Sequence, residues 1–295
     1  MKKIFAEAIA GIIPHKMTRN RWRGILRYGL LRAGRLRRQI KRNHAEPQHY
    51  LAICAIAKNE GPYLKEWIDW HRRMGVEKFY FYDNGSTDDT PTILAPYIAA
   101  HIVDYHYWPG ERMQLAAYDN CLERNRYSSR WIAFIDIDEF IVAVKHPTLV
   151  CFLKTMESFA AVEINWLIYG SSGHKTYSEE PVMQRFTYHS LPDHPLNRHV
   201  KSIVNPRRVF NMIGCHEAAR ISGQSADSHG HPIHQNFRNR EPQQDVIRIN
   251  HYAVKSHEEF IQKQARGRAS GTQKTLKAEY FKQYDLNDEY EAIKF

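Results

Sequence analysis

The sequence predicts an α/β fold built on a mainly parallel central sheet flanked by helices. Two patterns carry that reading: short apolar runs alternate with helical stripes through residues 51–169, and a polar cluster follows most of the apolar runs. A length of 295 residues agrees with it, being enough for a large core without disulfide staples. Such alternation implies right-handed crossovers, and ligands of such sheets collect at the carboxyl ends of the strands.

Residues 51–57 (LAICAIA) are continuously apolar and predict a strand buried on both faces. Pro62 fits a first helical turn, and Leu64, Trp67, Ile68 and Met74 form a stripe that stops at Gly75. Residues 78–82 (KFYFY) predict a second strand, which runs into Asp83-Asn84-Gly85-Ser86-Thr87-Asp88. A helix over 91–100, a strand over 101–107 and a helix over 113–124 follow. Residues 131–135 (WIAFI) form a strand that ends in Asp136-Ile137-Asp138-Glu139, and a strand over 162–169 runs into Gly170-Ser171-Ser172-Gly173-His174. The clusters at Asn59-Glu60, Asp83-Asn84, Asp136-x-Asp138 and Ser171–His174 are expected to share one rim. Beyond residue 180 the periodicity is poor. Residues 180–240, rich in His, Pro, Asn and Gly, read as acceptor-side loops with short strands, before a strand over 246–254 and a helix over 257–268. The expected organisation is a basic arm (1–48), a catalytic domain (49–270) and a C-terminal tail (271–295).

The formal charge is +10, but residues 1–46 hold thirteen basic side chains and two acidic ones, which leaves the remaining 249 residues at −1. Within 23–42 the residues Ile25, Leu26, Leu30, Leu31, Leu36 and Ile40 recur at helical spacing among arginines. This suits a basic amphipathic helix on an anionic bilayer, each cation near the surface adding about 1 kcal/mol. A solvated tail is the plain alternative. Nucleic acid is disfavoured as a partner because Trp22 and Tyr28 are too few for base stacking. Residues 4–13 contain Glu7 and stop at Pro14, short of the ~18–20 apolar residues of a span, and read as neither a span nor an export signal. Cys54, Cys121, Cys151 and Cys215 lack C-x-x-C spacing and read as small buried hydrophobes of a reducing compartment. The expected address is cytoplasmic, at the inner face of the membrane.

Neither G-x-G-x-x-G nor G-x-x-x-x-G-K-[ST] occurs, which disfavours dinucleotide and P-loop chemistry. A diphosphate can instead be held by a divalent cation, and Asp136-x-Asp138 offers two carboxylates on one face of a strand end. Mg²⁺ or Mn²⁺ accepts such oxygen ligands and keeps substrate phosphates in its shell. The position after WIAFI gives the triplet its weight. His229, His231 and His234, with Cys215 and His216 upstream, match no common zinc spacing and read as a His-rich polar loop.

Four ordered segments, AIAKNEGPYLKEWIDWHRRMGVEKFYFYDNGSTDDT, WIAFIDIDEF, INWLIYGSSGH and INHYAVKSHEEFIQKQARG, resemble glycosyltransferase family 92 and the family-2-like enzymes grouped with it, over roughly residues 51–268. The resemblance implies a GT-A fold and a metal-dependent, inverting transfer of a hexose from a UDP-sugar to a surface-glycan or lipid-linked acceptor, as in glycan or lipopolysaccharide biosynthesis. Galactose is the hexose suggested by relatives. Carried onto this chain, Asp136 and Asp138 look like the metal and diphosphate pair for Mn²⁺ or Mg²⁺, with His251 completing the shell. Asn59, Glu60, Asp83 and Asn84 fall at the nucleotide side, and Lys255, Lys263, Arg266 and Arg268 are placed to neutralise the leaving diphosphate. Inversion also needs a base for the acceptor hydroxyl. The candidates are His174, Glu139, Glu163 and Glu217; His174 is favoured for its turn at a strand end, and Glu139 is alternatively a brace for the backbone. Each role has a plainer rival: Asp83 as a turn builder, Glu60 as an exposed residue before Pro62, His251 as a core histidine, the arginines as a solvated helix face. A non-catalytic binding module and a basic nucleic-acid-binding protein are the competing functions.

Overall fold

Strand β1 (His49–Ala57) occupies the middle of the sheet, and its alternate residues feed two cores. Leu51, Ile53, Ala55 and Ala57 join a large cluster with Leu64, Trp67 and Phe140, while Ala52, Cys54 and Ile56 join a second with Tyr118, Cys121 and Phe134. The period of two thus divides an apolar run between both faces. In this computed structural model the described residues are 29–233, 241–266 and 278–292, together with Trp22 and Leu26.

From one edge the sheet runs β3 (Val103–Tyr107), β2 (Lys78–Asp83), β1, β4 (Ser129–Phe134), β8 (Val200–Val204), β6 (Ala161–Ile168), β11 (Ser225–Ala226), β12 (Pro232–Ile233). The first four strands are parallel, and β8 is antiparallel to both β4 and β6, so β6 again runs with β1. Strand β13 (Ile247–His251) pairs parallel with β6 and antiparallel with β5 (Glu139–Ala143). That register sets His251 opposite Glu139, one residue from Asp138.

The expected helices form with shifted ends: α2 (Gly61–Arg73), α3 (Thr90–Ala99) and α4 (Gln114–Asn125). Helix α2 buries Leu64, Trp67, Ile68 and Trp70, and the indole N–H groups of Trp67 and Trp70 donate to Glu139 O and Ile141 O, both at 2.9 Å. This fixes β5 beside the helix. His71 is fully buried on the same helix: its Nδ1–H donates to Trp67 O at 2.8 Å, and its Nε2 accepts from Ile141 N–H at 3.2 Å. Burial drives its pKa down to about 3.

Three regions depart from expectation. Residues 180–240 contribute β8 to the interior of the sheet; VKSIV is buried throughout despite Lys201 and Ser202. Strand β5 and helix α5 (Leu149–Thr155), capped by Thr148 Oγ accepting from Cys151 N–H at 3.2 Å, were not expected. The C-terminal segment belongs to the domain: after α7 (His257–Arg266), helix α8 (Ala278–Tyr284) packs on the core, and β14 (Glu289–Tyr290) pairs with β7 (Tyr188–His189). Residues 267–277 lie outside the described residues.

The arm also behaves differently. Helix α1 (Leu30–Arg42) turns Ala33, Leu36 and Ile40 onto Phe210, Ala219 and Ile221 of the hairpin β9 (Val209–Met212) and β10 (Ala218–Arg220) and the residue after it. Of the apolar stripe expected to meet a bilayer, Leu36 and Ile40 are covered by the domain itself, whereas Leu30 and Leu31 are exposed. Leu31, Arg35, Arg38, Lys41 and Arg42 are exposed. Residues 1–28, apart from Trp22 and Leu26, lie outside the described residues, of which no helix is long and apolar enough to cross a membrane. Cys54 and Cys121 are buried free thiols as expected, whereas Cys151 is exposed.

Candidate active site

The loops after β1 and β2 are clipped together. Asn59 adopts a left-handed φ of 53°; its N–H donates to Ser86 Oγ at 2.9 Å and its Oδ1 accepts from Thr87 N–H at 2.7 Å. Asp83 accepts from Ser86 N–H at 2.7 Å and from the Tyr105 hydroxyl at 2.5 Å, and Asn84 Nδ2 donates to Trp108 O and Gly110 O, both at 2.9 Å. Asp83 and Asn84 therefore build the rim and are not among the residues lining the cavity beside it. Of the Asp83 carboxylate oxygens, Oδ1 serves the turn and Oδ2 the hydroxyl of Tyr105 on β3.

That cavity, of about 320 Å³, is lined by Glu60, Asp136, Asp138, His251, Lys263 and Arg266, together with Gln114, Trp166, His199, Lys201 and His216, and with Tyr280 and Tyr284 from α8. A second cavity of about 270 Å³ shares Lys263 and Arg266 and reaches Asn59, Asp88 and Lys255. Lys255 has a left-handed φ of 56°, and its buried ammonium lies 4.0 Å from the centroid of the Tyr63 ring. Burial lowers its pKa, with Glu60 opposing.

Asp136 and Asp138 follow β4 with different surroundings. Asp136 Oδ2 lies 2.7 Å from Lys201 Nζ, Oδ1 accepts from Gln114 Nε2 at 3.1 Å, and 37% of the side chain is exposed. Asp138 is buried, with Oδ2 at 2.5 Å from Lys263 Nζ and 3.7 Å from His251 Nε2. Burial alone would raise the Asp138 carboxyl; Lys263 and then His251 outweigh it and hold the group ionised, well below the usual carboxylate range. Burial lowers His251 against the pull of Asp138, which keeps the imidazole neutral. Its Nδ1 has no partner among the described residues.

Glu139 lies beneath this pair. Its Oε2 accepts the backbone N–H of Asp136 at 3.0 Å and sits 3.4 Å from Lys201 Nζ. Burial pushes its pKa up to about 8 against Lys201. Glu139 does not line the cavity, and its contacts are those of a brace for the Asp136 backbone. Lys201 answers both carboxylates: burial would lower its pKa, yet Asp136 and Glu139 raise it well above the ordinary value. Across the cavity Arg266 pairs with Glu60 and donates from Nη1 to Asn59 O at 2.6 Å, so Glu60 and Arg266 are neither exposed nor a solvated face. Arg268 lies outside the described residues.

Two carboxylates and a neutral buried imidazole with an unpartnered nitrogen have the chemistry of a donor set for Mn²⁺ or Mg²⁺, although among the described residues their ligand atoms are not gathered within 4.8 Å of one another as those of Asp227, His229 and His231 are.

His174 and Glu163 do not line this cavity. The 170–174 turn is fastened to the C-terminal segment instead: Ser171 N–H donates to Asp285 Oδ1 at 2.6 Å and Ser172 N–H to Asn287 Oδ1 at 2.8 Å. A Cβ on Gly170 would collide with Asn287, which explains a glycine there. The exposed His174 ring donates from Nε2 to Arg185 O at 3.0 Å. Glu163 is buried on β6, its carboxyl raised well above its ordinary value by burial and by Glu217. Glu217, the fourth base candidate, is likewise absent from the lining.

Sequence reasoning missed Gln114, Trp166, His199, Lys201 and His216. A lysine inside the apolar run VKSIV was the available signal for Lys201, since a cation there must meet buried carboxylates. His229 and His231 gather with Asp227, their ligand atoms within 4.8 Å of one another, but Asp227 Oδ1 already accepts both their backbone N–H groups at 2.9 Å, as a hairpin turn does. His234 lies outside the described residues.

The profile of glycosyltransferase family 92 matches residues 49–287. A family 92 protein of Ricinus communis is 30% identical over 224 residues, which is 74% of this chain and 38% of that protein. A galactan beta-1,4-galactosyltransferase of Arabidopsis thaliana is 26% identical over 178 residues, 55% of this chain and 34% of that one. The matched regions thus span little more than a third of those relatives. Among solved structures, S. aureus TarS in complex with UDP has a TM-score of 0.36 at 14% identity, covering 53% of this chain and 47% of that chain. The α/β architecture is the GT-A type expected from the four motifs, and the family profile spans the strands, the cavity and α8 alike: the chain belongs to glycosyltransferase family 92.

Proposed function

We propose that the protein is a metal-dependent, inverting hexosyltransferase that takes galactose from UDP-galactose and delivers it to a surface-glycan or lipid-linked acceptor. The observation that carries this reading is the convergence of Asp136, Asp138 and His251 with Lys263 and Arg266 in one cavity at the carboxyl rim of the sheet. A bound Mn²⁺ or Mg²⁺ would be held by Asp136, Asp138 and His251 and would supply charge to the diphosphate of the donor. Lys263 and Arg266, with Lys255 in the adjoining cavity, stabilise negative charge as the diphosphate leaves; fixed cations in a water-poor site do so without reorganising. Glu139 and Lys201 hold Asp136 in register with Asp138. Glu60 and Asn59, joined through Arg266, border the side where the nucleoside is expected. Galactose is supported by the galactosyltransferase relatives, and a β-linkage made from an α-linked nucleotide sugar requires inversion.

Contact with the inner, anionic face of a membrane is part of the same proposal, led by charge: Arg35, Arg38, Lys41 and Arg42 are exposed on α1 beside Leu30 and Leu31, while Leu36 and Ile40 are covered. Thermal shift against a panel of nucleotide sugars with Mn²⁺ tests the donor. UDP-galactose is expected to give the largest stabilisation, and an equal response to a GDP-sugar would contradict the UDP assignment.

A further inference from the structure

Three imidazoles surround one indole in the cavity. The ring centroid of Trp166 lies 4.3 Å from that of His251, 4.9 Å from that of His199 and 5.7 Å from that of His216. Trp166 stands on β6, His199 just before β8, His216 just before β10 and His251 at the end of β13, so four parts of the fold deliver these rings to one wall. His251 belongs with Asp138, and His199 lies nearly flat on the indole, at 19° to it. His216 meets the indole edge-on, at 67°.

We propose that His216 is the base that takes the proton from the acceptor hydroxyl, an assignment that rests on the glycosyl-transfer reading above and adds to it the one role that reading leaves open. Its Nδ1 lies 2.7 Å from Val200 O; a carbonyl only accepts, so Nδ1 carries the hydrogen and Nε2 carries the lone pair. Its own backbone oxygen accepts from Ser202 Oγ at 2.6 Å. Ring and backbone are therefore both fastened to β8, the strand whose Lys201 meets Asp136. Every carboxylate lining the cavity is already committed: Asp136 and Asp138 to lysines and the metal role, Glu60 to Arg266. Burial, with Lys201 adding to it, lowers the His216 pKa to about 4, so the ring is neutral at neutral pH.

In the step, the acceptor O–H bond breaks and its proton goes to His216 Nε2. The acceptor oxygen forms a bond to the anomeric carbon from the face opposite the diphosphate. The bond from that carbon to the phosphate oxygen breaks, its electron pair leaves with UDP, and the imidazolium later returns its proton to solvent.

The experiment is hydrolysis of UDP-galactose with Mn²⁺, water standing in for the unidentified acceptor, measured beside UDP affinity by calorimetry. His216→Ala is expected to lose about 100-fold or more in kcat, with UDP affinity within about 2-fold of wild type, and added imidazole should restore part of the rate. His199→Ala is expected to lose less than about 10-fold. His216→Ala hydrolysing at the wild-type rate would overturn the assignment, as would a fall in UDP affinity that accounts for the whole loss. A wild-type protein that neither binds UDP nor hydrolyses the sugar would overturn the glycosyl-transfer reading itself, a distinct outcome.

Discussion

Lys201 Nζ lies 2.7 Å from Asp136 Oδ2, although the lysine is buried on a strand in the interior of the sheet and the aspartate stands at the cavity. The pair connects the packed sheet to the chemistry. Removing the ammonium would leave the Asp136 carboxylate without its cation and the buried Glu139 without the group that opposes its protonation. Lys201→Met is expected to lower stability by about 1–3 kcal/mol, read by urea unfolding, and to reduce turnover more than UDP affinity. Unchanged stability would contradict the role given to Lys201.

His71 makes the fold sensitive to acid. Its folded pKa, about 3, lies below the unfolded value of 6.5, so the unfolded chain binds a proton first as pH falls. Stability from this group is full above about pH 6.5 and declines toward pH 3, by an amount on the order of a few kcal/mol. Unfolding measured between pH 7 and 4 should show that decline. His71→Gln should be less stable at pH 7 and show a flatter profile, and a profile as steep as wild type would contradict the assignment.

Gly170 is where the C-terminal segment meets the sheet. Gly170→Ala would press a methyl against Asn287 and Leu286, and overpacking of that kind costs about 1–3 kcal/mol. Because Tyr280 and Tyr284 line the cavity, the substitution should weaken UDP binding as well as speed proteolytic removal of the segment. Limited proteolysis and calorimetry check both effects.

The exposed cations of α1 are predicted to act on vesicles and not on the fold. At about 1 kcal/mol each, replacing Arg35, Arg38 and Arg42 with Glu should weaken binding to anionic vesicles by at least ~100-fold and leave the melting temperature nearly unchanged. Equal sedimentation with neutral and anionic vesicles would contradict a charge-driven contact. Leu36→Ala, on the opposite face, should destabilise the docking of α1 onto Phe210 and Ile221.

Where periodicity is strong, residues and fold agree closely. LAICAIA, KFYFY and WIAFI became parallel strands whose ends carry Glu60, Asp83, Asp136 and Asp138 to a common rim, because a run buried on both faces has few other ways to satisfy its backbone. That Asp136, Asp138 and His251 share one cavity was legible from the strand ends on which they fall. The region after residue 180 was not, because β8 is held by its two neighbours and not by its own composition: VKSIV reads as half polar, yet Lys201 is satisfied by Asp136 and Glu139, which are distant in sequence. The surroundings of His174 were not legible, because a glycine turn at a strand end looks open until the C-terminal segment is seen fastened to it by Asp285 and Asn287. The docking of the arm was hidden by the same kind of contact: Leu36 and Ile40 have partners in the chain itself.

In the proposed reaction Asp136, Asp138 and His251 serve a divalent cation in transfer from a UDP-sugar. Release of UDP from UDP-galactose, followed with Mn²⁺ and with EDTA for wild type and Asp138→Ala, tests it most directly. The account predicts turnover with Mn²⁺, its loss in EDTA, and a fall of at least ~100-fold in Asp138→Ala with the fold intact. Full activity in EDTA together with an active Asp138→Ala variant would contradict it.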